Sequence, residues 1–252
     1  MSNELQPVRA NRNVYGQPIP PAAGGFEPAS APDEFVRSAP SHRVLRNTYA
    51  LLAASLVPTA IGAALGTNLD LSFMRSSPIV SFFAVLAIFY GWIFAIEKNR
   101  NSGAGVALLL GFTLFMGLLL GPLLQRVLGF ANGVQLVMMA AGGTAAVFFA
   151  MAGIASTTRR DLSAMGNFLA VGAVVIMLAV IANVFFASPA AHLALVAAFV
   201  LFSSLVILWQ VNAVVRGGET NYVSATLSLF VAAYNLFASL LQLLGIFGGD
   251  RD

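Results

Sequence analysis

The chain has 252 residues, 58% of them apolar and only 9% charged, with a formal net charge of +3 and no cysteine. Soluble domains carry roughly 25% charged residues, so an ordinary soluble fold is excluded, and without thiols so are disulfides and cysteine chemistry. The few charges fall between long apolar runs, which makes those runs membrane spans and not one oversized core.

Residues Met1 to Arg46 show neither helical nor strand periodicity and hold seven of the eleven prolines. Such a stretch cannot bury enough surface to offset its ordering entropy, so residues 1–46 are expected to form a disordered cytoplasmic tail. It contains no apolar h-region and does not read as a cleavable signal peptide. Seven apolar segments follow: Thr48 to Leu65, Pro78 to Ile96, Ala104 to Leu124, Val134 to Ala155, Met165 to Phe186, His192 to Val214, and Tyr222 to Phe247. Together they predict an all-α, seven-helix transmembrane domain over residues 47–249. The link between the fifth and sixth segments, Ala187 to Ala191, is barely a turn, so those two spans should form a tight hairpin.

The last segment differs from the others. A polar turn at Gly217, Gly218, Glu219 and Asn221 leads into a run that carries Ser224, Thr226, Ser228, Asn235, Ser239 and Gln242. Polar groups in hydrocarbon are costly unless partnered. A helix of this kind is expected at the centre of the bundle, wrapped by the earlier spans.

Lysine and arginine collect on the cytoplasmic side of membrane proteins. One side of this chain receives Arg37, Arg43, Arg46, Lys98, Arg100, Arg159, Arg160 and Arg216; the other receives Arg75, Arg126 and Arg251. The amino terminus is therefore expected in the cytoplasm and the carboxyl terminus in the periplasm. Packing is partly legible too. Gly62 with Gly66, and Gly117 with Gly121, are Gly-x-x-x-Gly pairs, and Gly142 and Gly143 lie in a run of small residues. Small residues let helices approach closely in lipid, so these six are candidates for bundle packing or for docking a partner. Pro58 and Pro122 fall inside spans and are expected to bend them.

A search for chemistry returns little. The chain has no H-E-x-x-H and no phosphate-binding loop. All ten carboxylates lie outside the spans or at their rims, whereas ion pathways are marked by buried ionisable groups. The polar residues read as mid-membrane are neutral: Gln210, Asn183 and Asn235, a candidate polar core joined by interhelical hydrogen bonds. His192 reads as an interfacial helix-end residue. No catalytic constellation, cofactor or metal ligand set is apparent, and no nucleic-acid partner is expected.

Several blocks carry a family resemblance: HRVLRNTY from His42, GGTAAVFF from Gly142, TTRRD from Thr157, ANVF from Ala182, PAAHLA from Pro189, and Arg216 to Gly245 with its GGETNY turn. In order and spacing, residues 42–249 resemble the bacterial Bax inhibitor-1 family. Within it they look most like the inner-membrane branch that modulates the ATP-dependent metalloprotease FtsH. The resemblance implies seven transmembrane helices with the last one central. Its calcium-leak members pair two aspartates as a pH-sensitive latch, since facing carboxylates share a proton and repel once both ionise. Those positions are Gln210 and Ala232 here, so the latch is absent. Two readings remain. One is a regulatory membrane protein that occupies FtsH and its associated membrane proteins as a slowly degraded substrate; the alternative is a cation (calcium or proton) leak channel.

Overall fold

Hydrocarbon offers no hydrogen-bond partner, so apolar runs of about 20 residues cross it as α-helices that satisfy their own backbone. The computed structural model describes residues 33–69, 76–158 and 160–249, with side chains from His42 onward. It contains α1 (Asp33–Gly66), α2 (Pro78–Lys98), α3 (Gly103–Leu128), α4 (Gly133–Thr157), α5 (Ser163–Phe186), α6 (Pro189–Val215) and α7 (Tyr222–Gly248). Among the described residues, all seven are long and apolar enough to span a membrane, α1 doing so over His42–Gly66. The chain divides into residues 1–37 and 38–252, and the seven-helix transmembrane bundle belongs to the second unit.

Two boundaries differ from expectation for physical reasons. Helix α1 begins at Asp33, so residues 33–46, expected as part of the tail, are helical; residues 1–32 lie outside the described residues. Apolar periodicity reports only a helix face that buries something, and of residues 42–47 only Val44 and Leu45 are even partly covered. Helix α6 begins three residues early, at Pro189, because proline suits the first helical position and the Ser188 hydroxyl accepts from Ala191 N at 3.3 Å. The α5–α6 link is then only Ala187 and Ser188, and Ala187 takes a left-handed conformation with φ 47°.

Helix α7 is the axis of the bundle. It packs against α2, α3, α4 and α6, and its Thr226 hydroxyl reaches the Thr48 carbonyl of α1 at 3.2 Å. Val223, Ala225, Leu229, Leu236 and Leu241 on it are fully enclosed, and so is Thr226. An aromatic cluster joins it to α2 and α3: Phe112 is fully buried and meets Phe89, Trp92 and Phe230 at centroid distances of 5.5, 6.2 and 6.2 Å. The Trp92 indole N–H donates to the Leu108 carbonyl at 3.0 Å, giving that polar edge the partner it needs in hydrocarbon. Helix α5 sits outside, against α6 and part of α2. Leu169 is its one buried residue, and Phe168, Val171, Val174 and Leu178 face outward.

Helices α1 and α3 touch backbone to backbone. A Cβ at Gly62 would overlap the Leu114 carbonyl oxygen, one at Gly117 the Thr59 carbonyl oxygen, and one at Gly121 the Gly66 carbonyl. From α3, the Gln125 amide donates to the Thr67 and Leu69 carbonyls at 2.9 and 3.2 Å, closing the C-terminal end of α1. Both helices run through their internal prolines, Pro58 and Pro122, without interruption.

Candidate functional site

The polar chemistry of the bundle lies at the end where the α2–α3, α4–α5 and α6–α7 links meet. The turn after α6 is closed by Gly218 N and Glu219 N, both donating to the Ala213 carbonyl at 2.8 and 3.1 Å. Gly217 there has φ 75°, a conformation that favours glycine. Glu219 accepts from Asn221 N at 2.7 Å. Asn221 then does two jobs. Its Oδ1 caps α7 by accepting from Val223 N and Ser224 N at 2.9 and 3.2 Å, and its Nδ2 donates to the Arg100 carbonyl and Asn101 Oδ1 at 3.2 and 2.7 Å. Beside it the Ser224 hydroxyl donates to Glu97 Oε2 at 3.0 Å, and Glu97 pairs with Arg100 at 3.3 Å. The start of the central helix is thereby tied to the end of α2.

A second tie involves Asn212, which is 2% exposed. Its Oδ1 accepts from Leu162 N at 3.2 Å, and its Nδ2 faces the Ala155 and Arg160 carbonyls at 3.4 Å each. Arg216 donates to the Thr158 carbonyl at 3.1 Å. In the same link the Ser163 hydroxyl and backbone N–H donate to Asp161, and with Arg216 nearby they hold its carboxyl below the usual range.

The residues singled out from the sequence are distributed as follows. Gln210 is 3% exposed, and no hydrogen bond joins its amide to another of the described residues. Asn183 is in the last turn of α5, and its Oδ1 is buried without a partner. Gln210 is 21 residues along α6 from the hairpin, about 32 Å away. Asn235 is half-buried at the middle of α7. The three are thus spread over the depth of the bundle and do not meet as one polar core. Ala232 is buried on α7 and lines a cavity of about 300 Å³ between α2, α6 and α7, along with Glu97, Ser203 and Ser228. Ser203 Oγ is buried there without a partner. Neither Gln210 nor Ala232 can ionise. His192 is exposed at the start of α6.

Of the candidate packing glycines, Gly62, Gly66, Gly117 and Gly121 form the α1–α3 seam. A Cβ at Gly143 would meet only a Leu240 methyl at 3.4 Å, and one at Gly142 would meet nothing within 4 Å. Helix α4 carries its small residues instead along a second, larger cavity of about 1020 Å³ facing α1. The described residues contain no group of three His, Cys, Asp or Glu placed to hold a metal.

Two polar ties escape sequence reasoning. Asn212 is two residues past Gln210 near the end of an apolar run, and its partners lie fifty or more residues earlier. Glu97 reads as a loop charge, and only the fold brings Ser224 to it. A polar side chain just inside the end of an otherwise apolar span is the one signal that could have drawn attention to either.

Residues 41–249 match the family model described as inhibitor of apoptosis-promoting Bax1. A protein of Neisseria meningitidis serogroup A is 50% identical over 209 residues, covering 82% of this chain and 92% of its own. Escherichia coli K12 has a protein named modulator of FtsH protease YccA, 42% identical over 210 residues, covering 83% of this chain and 93% of its own. An Escherichia coli O6:H1 relative with the same identity and coverage is named inner membrane protein YccA. With the seven spans, the central α7 and the GGETNY turn in place, the chain belongs to the Bax inhibitor-1 family.

Proposed function

We propose that this protein is a multi-pass inner-membrane regulator of the ATP-dependent membrane metalloprotease FtsH, which it occupies as a slowly degraded substrate. The observation that carries this reading is the 42% identity to the Escherichia coli modulator across 210 residues. Three physical features support it. The proline-rich segment ahead of α1 lies outside the family match, which begins at residue 41, and supplies an end to engage. Behind that end lies a bundle whose extraction would expose seven apolar helices to water at a large free-energy cost. And the positions at which a carboxylate latch would gate an ion leak are Gln210 and Ala232, which leaves that route nothing to titrate. The arginine and lysine distribution favours a cytoplasmic amino terminus, on the side where such a protease would unfold its substrates.

The test is recovery of partners from membranes extracted in mild detergent, using tagged full-length protein and a protease variant that binds without cleaving. Co-recovery of the protease, and a longer half-life on deleting Met1 to about Pro40, are expected. Reproducible absence of the protease together with cation flux in reconstituted liposomes would refute the reading in favour of a leak channel.

A further inference from the structure

The larger cavity is a cleft between α1 and α4, floored by Phe230, Tyr234 and Phe237 of α7. Its α1 wall is the stripe Tyr49, Ala53, Leu56, Ala60 and Ala63, and its α4 wall runs from Val137 to Ser156. Nineteen residues at 1.5 Å make it about 28 Å long, close to the full hydrocarbon depth. Leu56 is 57% exposed and Phe149 71%, so the cleft is open sideways to the bilayer. Its volume is about 1020 Å³. Extended hydrocarbon chains, about 4–5 Å across at carbon contact distances, are what a lateral opening of this length meets in a bilayer.

The ends of the two walls identify the occupant further. Past Tyr49 the α1 stripe continues, at spacings of three and four, to Arg46 and His42, both exposed. The α4 wall stops at Ser156, α4 itself ends at Thr157, and exposed Arg160 follows in the α4–α5 link. Neither arginine makes an ion pair among the described residues. The α1 stripe therefore ends in a cation, and the link that follows the α4 wall carries a second one at the same end of the bundle, at the level of lipid headgroups. We propose that the cleft binds an anionic diacyl phospholipid, its chains between α1 and α4 and its phosphate between Arg46 and Arg160. The occupant would complete the packing of α1, whose other flank is already closed by the glycine seam.

The experiment is native mass spectrometry of the full-length protein in detergent, with added phosphatidylglycerol or phosphatidylcholine of identical chains. Phosphatidylglycerol is expected to be retained at least about fivefold better, since one arginine at an anionic headgroup is worth about that factor. Arg46→Gln and Arg160→Gln should each lower phosphatidylglycerol retention about fivefold and lower phosphatidylcholine retention less, because its choline offsets the phosphate charge. Ala145→Trp from α4, or Ala60→Trp from α1, fills the cleft and should abolish retention of both lipids. Equal retention of the two lipids, or undiminished retention in a folded tryptophan variant, overturns the proposal. A photoreactive side chain at Ala141 in native membranes gives a check that needs no bulky substitution. Labelled phospholipid supports the site; a labelled transmembrane segment of another protein makes the cleft a helix dock and overturns it.

Discussion

Gly121→Ala tests whether α1 and α3 are held by backbone contact. The added Cβ would overlap the Gly66 carbonyl and stand 2.7 Å from Gly66 Cα, main-chain atoms that no rotamer change can move. Ordinary contact begins at 3.4 Å, so the helices must part by at least 0.7 Å along a seam that Gly62 and Gly117 share. Overpacking of this kind costs about 1–3 kcal/mol, and a clash against backbone belongs at the upper end. Alanine returns up to about 1 kcal/mol through its better helix propensity, leaving a net loss near 2 kcal/mol. Gly142→Ala is the matched control: nothing lies within 4 Å of the added carbon, so only the propensity gain remains. Denaturant or thermal unfolding of the two full-length variants in detergent should therefore shift in opposite directions, about 3 kcal/mol apart. If Gly121→Ala is as stable as the parent, or Gly142→Ala loses as much, the seam is not what fixes α1 to α3.

Three further predictions rest on separate contacts. Ala187→Gly relieves a left-handed alanine in the α5–α6 link and should stabilise by about 0.5–1 kcal/mol in the same unfolding assay; a destabilised variant would contradict that backbone geometry. Asn212→Leu leaves Leu162 N, the Ala155 carbonyl of α4 and the Arg160 carbonyl of the α4–α5 link without their partner, at a cost of about 1–3 kcal/mol, and should speed hydrogen exchange at Leu162. The lowered pKa of Asp161 means that its ionised form favours the folded state, so this contribution is present above the usual carboxylate range and fades as pH falls through the depressed value. Asp161→Asn should therefore flatten the acid limb of the stability profile below about pH 4, measured against the parent; an unchanged limb would refute it.

Much of the fold is legible because hydropathy and polarity report burial directly. The polar residues of the last span imply a central helix, and the structure encloses Ser224, Thr226 and Ser239. Spacing says less about which face meets a neighbour. Gly117 with Gly121 and the adjacent pair Gly142–Gly143 look alike as small-residue signals, yet the first two lie on backbone and Gly142 on open space. Side-chain identity says least about partners. Asn183, Asn212 and Asn235 are equivalent as letters, but only Asn212 bridges a loop, because its partners are backbone groups that leave no mark in the sequence. The early start of α1 was hidden for a related reason: over residues 42–47 only Val44 and Leu45 are partly covered, and a helix face that buries little carries no apolar stripe.

The position of the seam gives the proposed relation to a protease a mechanical test. A machine that pulls from the amino-terminal side withdraws α1 before any other span. What resists first is then local: the glycine seam to α3, the Gln125 amide at the end of α1, and the Thr226 contact to Thr48. Weakening the seam by about 2 kcal/mol speeds a step that must break it by up to about thirtyfold. Gly121→Ala should accordingly shorten the protein's half-life in cells containing the protease, while Gly142→Ala, on α4, leaves it unchanged. Deleting residues 1–32 in both backgrounds should remove the difference, because the handle is gone. A Gly121→Ala protein that is measurably less stable yet degraded at the parental rate would show that withdrawal of α1 is not the slow step, and that the protease takes hold of this protein elsewhere.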